Sequence, residues 1–262
     1  MRDFKKTALA SVFALVLGFT AAPVIVPDAA TVASAALAED GSPQVVFDFK
    51  SGKMPEGLYA AHGYTNGSMF NVNWYRDNVT FHNGKVQLHI DHDFDSKNDR
   101  PYSGAEIRTE GFYGYGRYET RMKPFQNPGT VASFFTYTGQ WEPNPDPWDE
   151  IDIEFLGKDT TKVQFNYWHN GVGEHELLYD LGFDASEDFH TYAFEWHKDR
   201  IVWYVDGKEV HRVTKDLPQT KMRIMANVWA GIGVDEWLRP FNDSNLPLSA
   251  EYEYIKYTQS AD

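Results

Sequence analysis

Apolar and polar side chains alternate with a period of two along much of this chain, the pattern of half-buried β-strands. Segments 85–90 and 162–168 alternate in this way. Segments 201–205 and 208–213 are joined by Asp206-Gly207, a pair typical of two-residue β-hairpins. No segment has the periodicity of an amphipathic helix of three turns. The pattern predicts an all-β sandwich and, since no repeat or linker interrupts it, a single domain.

The stretch from Trp148 to Phe155 alternates carboxylates with large apolar side chains at the same period. Glu150, Asp152 and Glu154 therefore share one face of a strand, while the isoleucines between them and Phe155 face the other way. Long apolar residues on one side anchor such a strand to a core, so the acidic face must meet water or a ligand.

The acidic row has two interpretations. One is a solvated strand face, but no Lys or Arg interrupts the row, and same-face neighbours repel at roughly 7 Å. The other is a catalytic pair, because crowded carboxylates have split pKa values, as glycoside hydrolysis requires. On a flat strand Glu150 and Glu154 lie roughly 13 Å apart at Cα, whereas a retaining pair needs about 5–5.5 Å between carboxyls. A concave sheet would bring them together, and spacing alone does not say which Glu attacks.

A resemblance to a known family lies in the run 148–166, W-D-E-I-D-I-E-F-L-G-K-D-T-T-K-V-Q-F-N. It resembles the active-site strand of glycoside hydrolase family 16, and in particular of the bacterial lichenases, which are endo-β-1,3-1,4-glucanases. Further similar runs are S-F-F-T-Y-T-G (133–139), Y-G-Y-G (113–116), L-G-F-D-A-S (181–186), H-T-Y-A-F-E-W (190–196) and G-I-G-V-D-E-W-L (231–238). The resemblance covers nearly the whole chain from about residue 44 onward. It implies a jelly-roll β-sandwich of two antiparallel sheets with a concave substrate cleft.

The resemblance also implies a role for each acid. Glu150 matches the nucleophile, Glu154 the general acid that then acts as base, and Asp152 the group that hydrogen-bonds the nucleophile and helps set its ionisation. When sugar and aromatic rings displace water, two nearby negative charges would let Glu154 keep its proton to higher pH.

Sugar-binding positions follow from the same resemblance, because pyranose faces stack on rings and hydroxyls need polar partners. The side chains that it places in the cleft are Tyr64, Asn66, Phe135, Tyr137, Trp148, Asn166, Trp168, Asn227 and Trp229. Glu106 and Arg108 share a strand face and match a substrate-contacting pair, while an ordinary surface ion pair is the alternative. Trp196 and Trp203 have no such match and are expected in the core.

The sequence patterns for metal binding are weaker than those for the catalytic acids. The run 91–95 carries Asp at alternate positions like a calcium loop, but it lacks the required Gly and bidentate Glu, so a polar loop is expected. No H-E-x-x-H spacing occurs. The resemblance implies one structural calcium on the convex side, at Glu253 and the Gly84 carbonyl. No cofactor is expected for catalysis.

Residues 1–38 are predicted to be a secretory signal peptide, which makes the protein extracellular and leaves 39–262 as one catalytic domain. A basic start precedes an apolar run over 7–26, and small-residue cleavage sites follow at 33–38. A permanent membrane anchor is the alternative. Gly18, Pro23 and Pro27 interrupt the run, and no basic stop-transfer cluster follows it.

Net charge and cysteine content limit the classes of partner and the cross-links expected for this chain. The chain has a net charge of −14, and residues 1–38 carry three basic and two acidic residues, so the remainder is more negative still. Nucleic acid and anionic polysaccharides are disfavoured, whereas a neutral β-glucan is unaffected. Cysteine is absent; many relatives carry one disulfide, at positions matching Val72 and Gly104. A monomer with no membrane partner is expected.

The leading hypothesis is a secreted endo-glucanase that cuts mixed-linkage β-glucan with retention of configuration. A β-1,3-glucanase (laminarinase) or a transglycosylase of the same family are alternatives. The laminarinase branch usually carries E-x-D-x-x-E, a bulged strand, in place of E-x-D-x-E. Plant transglycosylases carry a Cys-rich tail that is missing here. A non-catalytic sugar-binding sandwich is disfavoured, since it has no need of two repelling acids.

Overall fold

The computed structural model describes residues 34–38, 41–93, 99–140, 142 and 147–261. The strands in these ranges are β1 (Ser34–Leu37), β2 (Pro43–Asp48), β3 (Leu58–Ala60), β4 (Val72–Trp74), β5 (Val79–His82), β6 (Lys85–His92), β7 (Tyr102–Thr109), β8 (Gly116–Lys123), β9 (Thr130–Thr138), β10 (Asp149–Leu156), β11 (Lys162–Trp168), β12 (Leu177–Asp180), β13 (His190–Trp196), β14 (Ile201–Val205), β15 (Lys208–Val213), β16 (Arg223–Ala230) and β17 (Leu248–Gln259). The helical segments are α1 (Asp235–Leu238) and two 3₁₀ turns, Arg76–Asn78 and Asp243–Asn245.

The strands form two antiparallel layers. The cleft sheet has the order β12-β11-β10-β9-β16-β7-β3. The outer sheet runs β15-β14-β13-β8-β17, and the far side of β17 pairs first with β6 and then with β2. Strand β6 also pairs with β7, which joins the layers at one edge, and the short β4 pairs with β7 in the parallel direction. The predicted jelly-roll β-sandwich is confirmed.

The core lies between the two sheets and is rich in aromatic rings. Phe155 of the cleft sheet packs edge-on against Tyr192 of the outer sheet, with centroids 4.8 Å apart. Phe165 of the cleft sheet meets Trp203 of the outer sheet with ring centroids 5.7 Å apart. Both Trp196 and Trp203 are buried, as predicted. Burial of such side chains is the main stabilising term of a fold that has no disulfide.

The hairpin predicted at Asp206-Gly207 is present between β14 and β15. Both turn residues have positive φ, 47° at Asp206 and 76° at Gly207, as a two-residue turn between twisted strands needs. Strand β11 also has the predicted bounds, 162–168.

Residues 1–33 of the predicted signal peptide lie outside the described residues. Of its remaining positions, Ser34–Leu37 form β1, which pairs with β2. The boundary at residue 38 stays a prediction. No helix in the described ranges has the length and apolarity needed to cross a membrane.

Candidate active site

Strand β10 lies inside the cleft sheet and carries the acidic row. Its partners are in continuous register on both sides, with no bulge. Glu150 lies beside Tyr137 and Trp168, Asp152 beside Phe135 and Asn166, and Glu154 beside Ser133 and Gln164. Because directly paired residues point to the same face, all these side chains belong to one face of the sheet.

The opposite face of β10 is embedded in the core. Ile151, Ile153 and Phe155 have no exposed surface. From the outer sheet, the Trp203 indole N–H donates to the main-chain oxygen of Asp152 at 3.1 Å. Packing and this hydrogen bond fix the strand against rotation or slippage, so the acids keep a defined position.

Asp149, one residue before the acidic row, anchors two loops. Its fully buried carboxylate accepts hydrogen bonds from the main-chain N–H groups of Gln219, Thr220 and Asn170 at 2.9–3.0 Å, and lies 3.0 Å from His169 Nδ1. Burial alone would raise its pKa, but these partners hold the pKa below its usual range. Asp149 is therefore a buried structural anion that positions the start of β10.

The three acids of the row have raised pKa values. Burial is the largest cause for each, and it raises the pKa of Glu150 and of Glu154 to about 7. The pKa of Asp152 lies well above its ordinary value, because of burial first and then the charges of Glu150 and Glu154. At neutral pH the row therefore holds protonated and ionised carboxyls together.

Glu150 and Glu154 differ in the hydrogen bonds that oppose the effect of burial. Glu150 accepts from the Trp148 indole N–H at 2.6 Å and is also hydrogen-bonded to Asp152, and both contacts favour its ionised form. Glu154 accepts one hydrogen bond, from the Gln164 amide at 2.8 Å, and feels the negative charges of Glu150 and Glu176. Asp152 keeps its proton, and two donors against one favour the charge on Glu150 over Glu154, against the charge of Glu106, which raises the pKa of Glu150.

A cleft of about 1010 Å³ opens above this face. Of the predicted substrate-binding residues, those that line it are Tyr64, Asn66, Arg108, Phe135, Tyr137, Trp148, Asn227 and Trp229, together with all three acids. Trp168 stacks on Trp148 with ring centroids 4.2 Å apart and planes at 8°, so it supports the cleft wall. Asn166 is almost buried beside Asp152.

Glu106 is fully buried beneath the cleft and connects several lining residues. It forms an ion pair with Arg108 and accepts hydrogen bonds from the amides of Asn227 at 3.1 Å and Asn66 at 3.2 Å. Ser133 in turn donates to Asn227 at 2.6 Å. The expected Glu106–Arg108 contact exists, and it orients amides in the cleft instead of forming a surface ion pair.

Sequence reasoning missed several residues of the site. Gln164 holds Glu154, and its own carbonyl oxygen accepts from the Trp237 indole at 3.1 Å. Ser133 and Met225 also line the cleft. The period of two could have found the first two, since Gln164 is two residues before Asn166 and Ser133 two before Phe135.

Glu142 was also missed, and no local pattern marks it. Its carboxylate lines the cleft and accepts from Arg223 Nε at 2.7 Å in a nearly buried ion pair. The partners are 81 residues apart in sequence, and neither belongs to the acidic row. Only the fold brings them together.

The calcium prediction falls on a different part of the molecule. Gly84 lies in the β5–β6 turn with φ 75°, and Glu253 on β17 has its Oε1 2.6 Å from Arg121 Nη1. A carboxylate and a carbonyl are the hard oxygen donors that calcium takes, so the donor chemistry fits, although the guanidinium competes for the carboxylate. The described residues hold no cluster of three or more His, Asp or Glu side chains arranged for a metal. The 91–95 run is described only to residue 93.

Comparison with known proteins agrees with this geometry. The family model of glycosyl hydrolases family 16 matches residues 66–254. A β-glucanase of Acetivibrio thermocellus is 52% identical over 93% of this chain and 68% of its own length. A β-glucanase of Brevibacillus brevis is 54% identical over 74% of each chain. The crystal structure of a prokaryotic β-1,3-1,4-glucanase (lichenase) from a mouse hindgut metagenome superposes with a TM-score of 0.78 at 49% identity, covering 82% of this chain and 98% of that one. The chain therefore belongs to glycosyl hydrolase family 16 and is a glycoside hydrolase.

Proposed function

We propose that the protein is an endo-β-1,3-1,4-glucanase, which hydrolyses β-1,4 bonds next to β-1,3 bonds in mixed-linkage β-glucans by a retaining double displacement. The observation that carries the proposal is the row Glu150, Asp152 and Glu154 on one face of β10 at the floor of the cleft. Relatives about half identical to the chain are β-glucanases, and one similar solved structure is a lichenase.

In the first step, Glu150 attacks the anomeric carbon and forms a covalent glycosyl ester. Its charge is held by the Trp148 indole and by Asp152, which keeps its proton and donates. At the same time Glu154 passes its proton to the glycosidic oxygen, whose bond to the anomeric carbon breaks. The raised pKa of Glu154, about 7, supplies that proton near neutral pH.

In the second step, Glu154 acts as the base. It takes a proton from a water molecule, the water oxygen attacks the anomeric carbon, and Glu150 leaves as a carboxylate. Two inversions at one carbon give net retention. Both Glu residues return to their starting protonation states, so no cofactor is needed for the balance of the reaction.

Linkage specificity would come from the side chains that Glu106 organises. Asn66, Arg108 and Asn227 present polar groups around one buried carboxylate, while Tyr137 and Trp229 provide ring faces in the same cleft. A substrate with the wrong linkage would leave some of these groups unpaired, at a cost of roughly 1–3 kcal/mol each.

A β-1,3-glucanase is the second candidate. Against it stands the unbroken pairing of β10 with β9 over eight residues, Asp149 to Leu156, without the bulge expected of an inserted residue. A transglycosylase would share the regular strand, and product analysis separates it from a hydrolase. A non-catalytic sugar-binding protein is disfavoured because both Glu150 and Glu154 are kept beside Asp152.

Secretion and a monomeric state complete the proposal. The basic and then apolar start of the chain supports export, and the absence of cysteine is compatible with it. A structural calcium held by Glu253 and the Gly84 carbonyl would stabilise the fold without touching the reaction.

Four polysaccharides test the activity. Reducing-sugar assays should find rapid cleavage of barley β-glucan and lichenan to tri- and tetrasaccharides, with laminarin and carboxymethylcellulose nearly inert. Comparable hydrolysis of laminarin would make the enzyme a broader β-1,3-glucanase. Proton NMR of the first product should detect the β-anomer, and initial release of the α-anomer would remove the retaining assignment.

A further inference from the structure

Two exposed rings lie at the edge of the cleft sheet, outside the cleft itself. Tyr59 on β3 is 36% exposed and Phe112, just after β7, is 37% exposed. Neither lines the cleft. Tyr59 is paired in register with Arg108, so its side chain lies on the same face as this cleft-lining residue.

Rings and guanidinium groups alternate from the cleft to this edge. Arg108 Cζ is 5.8 Å from the ring centroid of Tyr64, which lines the cleft, and 6.0 Å from that of Tyr59. Arg223 Cζ is 5.9 Å from the centroid of Tyr59 and 4.3 Å from that of Phe112. We call this continuous set, Tyr64, Arg108, Tyr59, Arg223 and Phe112, the edge strip.

Both guanidinium groups of the edge strip are already neutralised. Arg108 is paired with the buried Glu106. Arg223 is paired with Glu142 and donates from Nη1 to two main-chain carbonyls at the end of β7, at 2.5 and 2.7 Å. The strip therefore offers ring faces without free charge, which suits a neutral ligand. Each ring borders a guanidinium fixed in this way, so ordering it on binding costs little entropy.

We propose that the edge strip binds further glucosyl units of the same glucan chain whose scissile bond lies in the cleft, with Tyr59 and Phe112 as stacking platforms. The proposal rests on the proposed function, because it takes the occupant of the cleft to be a neutral β-glucan. The edge strip is continuous with the cleft, because Tyr64 and Arg108 belong to both. Pyranose rings have apolar faces that stack on exposed aromatic rings.

The test compares a long with a short substrate. Tyr59→Ala, Phe112→Ala and the double variant are assayed on barley β-glucan and on a chromogenic mixed-linkage trisaccharide. Tyr59 lies on β3, four strands from β10 or about 19 Å at roughly 4.8 Å per strand, so the short substrate is chosen to stay near the acids. Each single change should raise the ratio of the polymer KM to the trisaccharide KM by about twofold to tenfold, and the double variant by more. Tyr59→Phe and Phe112→Tyr, which keep the rings, should retain the wild-type ratio.

A matched control is available on the outer sheet. Tyr204 of β14 makes a similar ring contact, 4.7 Å from Arg117 Cζ, away from the cleft. Tyr204→Ala removes a ring of the same kind and should leave the KM ratio unchanged. An unchanged ratio in the Tyr59→Ala, Phe112→Ala double variant, folded by circular dichroism, would overturn the edge strip.

Binding separates this proposal from the proposed function. In gels that contain lichenan, migration of the Glu150→Gln variant is compared with that of Glu150→Gln carrying both ring substitutions. Weaker retardation of the latter supports the strip even if the wild-type protein proved unable to cut mixed-linkage glucan. Equal retardation of the two would refute it, whatever the activity of the wild type.

Discussion

The indole N–H of Trp148 donates to Glu150 Oε2 at 2.6 Å, across only two positions of the chain. Trp148 is 38% exposed and stacks on Trp168, so one side chain can both face a sugar and stabilise the charge on the proposed nucleophile. This hydrogen bond lowers the pKa of Glu150 against the effect of burial.

Trp148→Phe keeps a ring but removes this donor. Glu150 must be ionised to attack, so activity rises with pH through its pKa, and loss of the donor raises that pKa. We expect the acidic limb of the kcat/KM profile to move to higher pH and the basic limb to move less. An acidic limb at the wild-type position would mean that Trp148 does not set the ionisation of Glu150.

Gln164→Met tests the other limb of the pH profile. The Gln164 amide donates to Glu154 Oε2 at 2.8 Å and lowers its pKa, which burial otherwise raises. Glu154 must be protonated to act as an acid, so activity falls with pH through its pKa. Methionine has a similar volume and no donor, so the pKa of Glu154 should rise and the basic limb should move to higher pH. A downward shift of this limb would contradict the assignment of Glu154.

Glu150→Gln and Glu154→Gln test the catalytic pair directly. Each keeps the side-chain shape but removes the nucleophile or the proton donor, and should lower kcat by at least ~10²–10⁴-fold. Glu176→Gln is the control, because Glu176 acts on Glu154 only through its charge. Glu176→Gln should retain most of the activity and move the basic limb of the pH profile to lower pH, because the charge that raises the pKa of Glu154 is gone. Near-normal turnover in either main variant would exclude the retaining pair.

The period of two was enough to predict the strands that carry the site. It placed Glu150, Asp152 and Glu154 on one face and the residues between them in the core, because only the other face of β10 packs against the outer sheet. The Asp206-Gly207 pair predicted the hairpin between β14 and β15, because these residue types readily adopt the positive φ that the turn needs.

Contacts between distant segments could not be predicted from the sequence. Asp149 accepts hydrogen bonds from loop residues 70 and 71 positions later, and Glu142 pairs with Arg223 across 81 positions. An isolated Asp or Glu in a polar segment has no periodic pattern, and only strand order brings it to its partner. The resemblance to the family assigned Glu106 to the cleft. Its burial could not be predicted, because it follows from the pairing of β7 with β16.

Calcium binding is tested by melting. A metal that binds only the folded protein raises its stability by mass action, so a chelator should lower Tm relative to millimolar calcium. Because Arg121 occupies Glu253 Oε1 at 2.6 Å, Arg121→Gln should enlarge the calcium-dependent shift, and Glu253→Gln should abolish it. Equal Tm values in chelator and in calcium, for both wild type and Arg121→Gln, would exclude calcium binding at Glu253 and Gly84.

Gly104 of β7 lies where no side chain fits. A Cβ there would be 2.8 Å from the Val228 main-chain oxygen and 2.9 Å from Val72 Cγ2, both closer than a carbon atom tolerates. Gly104→Ala should therefore lower the free energy of unfolding by about 1–3 kcal/mol, measured by urea denaturation. Gly114→Ala is the control, because a Cβ at Gly114 would make only ordinary contacts at 3.6 Å.

A double variant identifies the source of this overpacking. Val72→Ala removes one of the two clashing atoms but leaves the Val228 oxygen, so Val72→Ala with Gly104→Ala should cost less than the sum of the two single changes. A coupling of about 0.5 kcal/mol or more is expected for residues in contact. Strictly additive free energies in the double variant would mean that the Val228 oxygen alone excludes the side chain. If Gly104→Ala were as stable as Gly114→Ala, β4 and β7 would be able to move apart without a cost in stability.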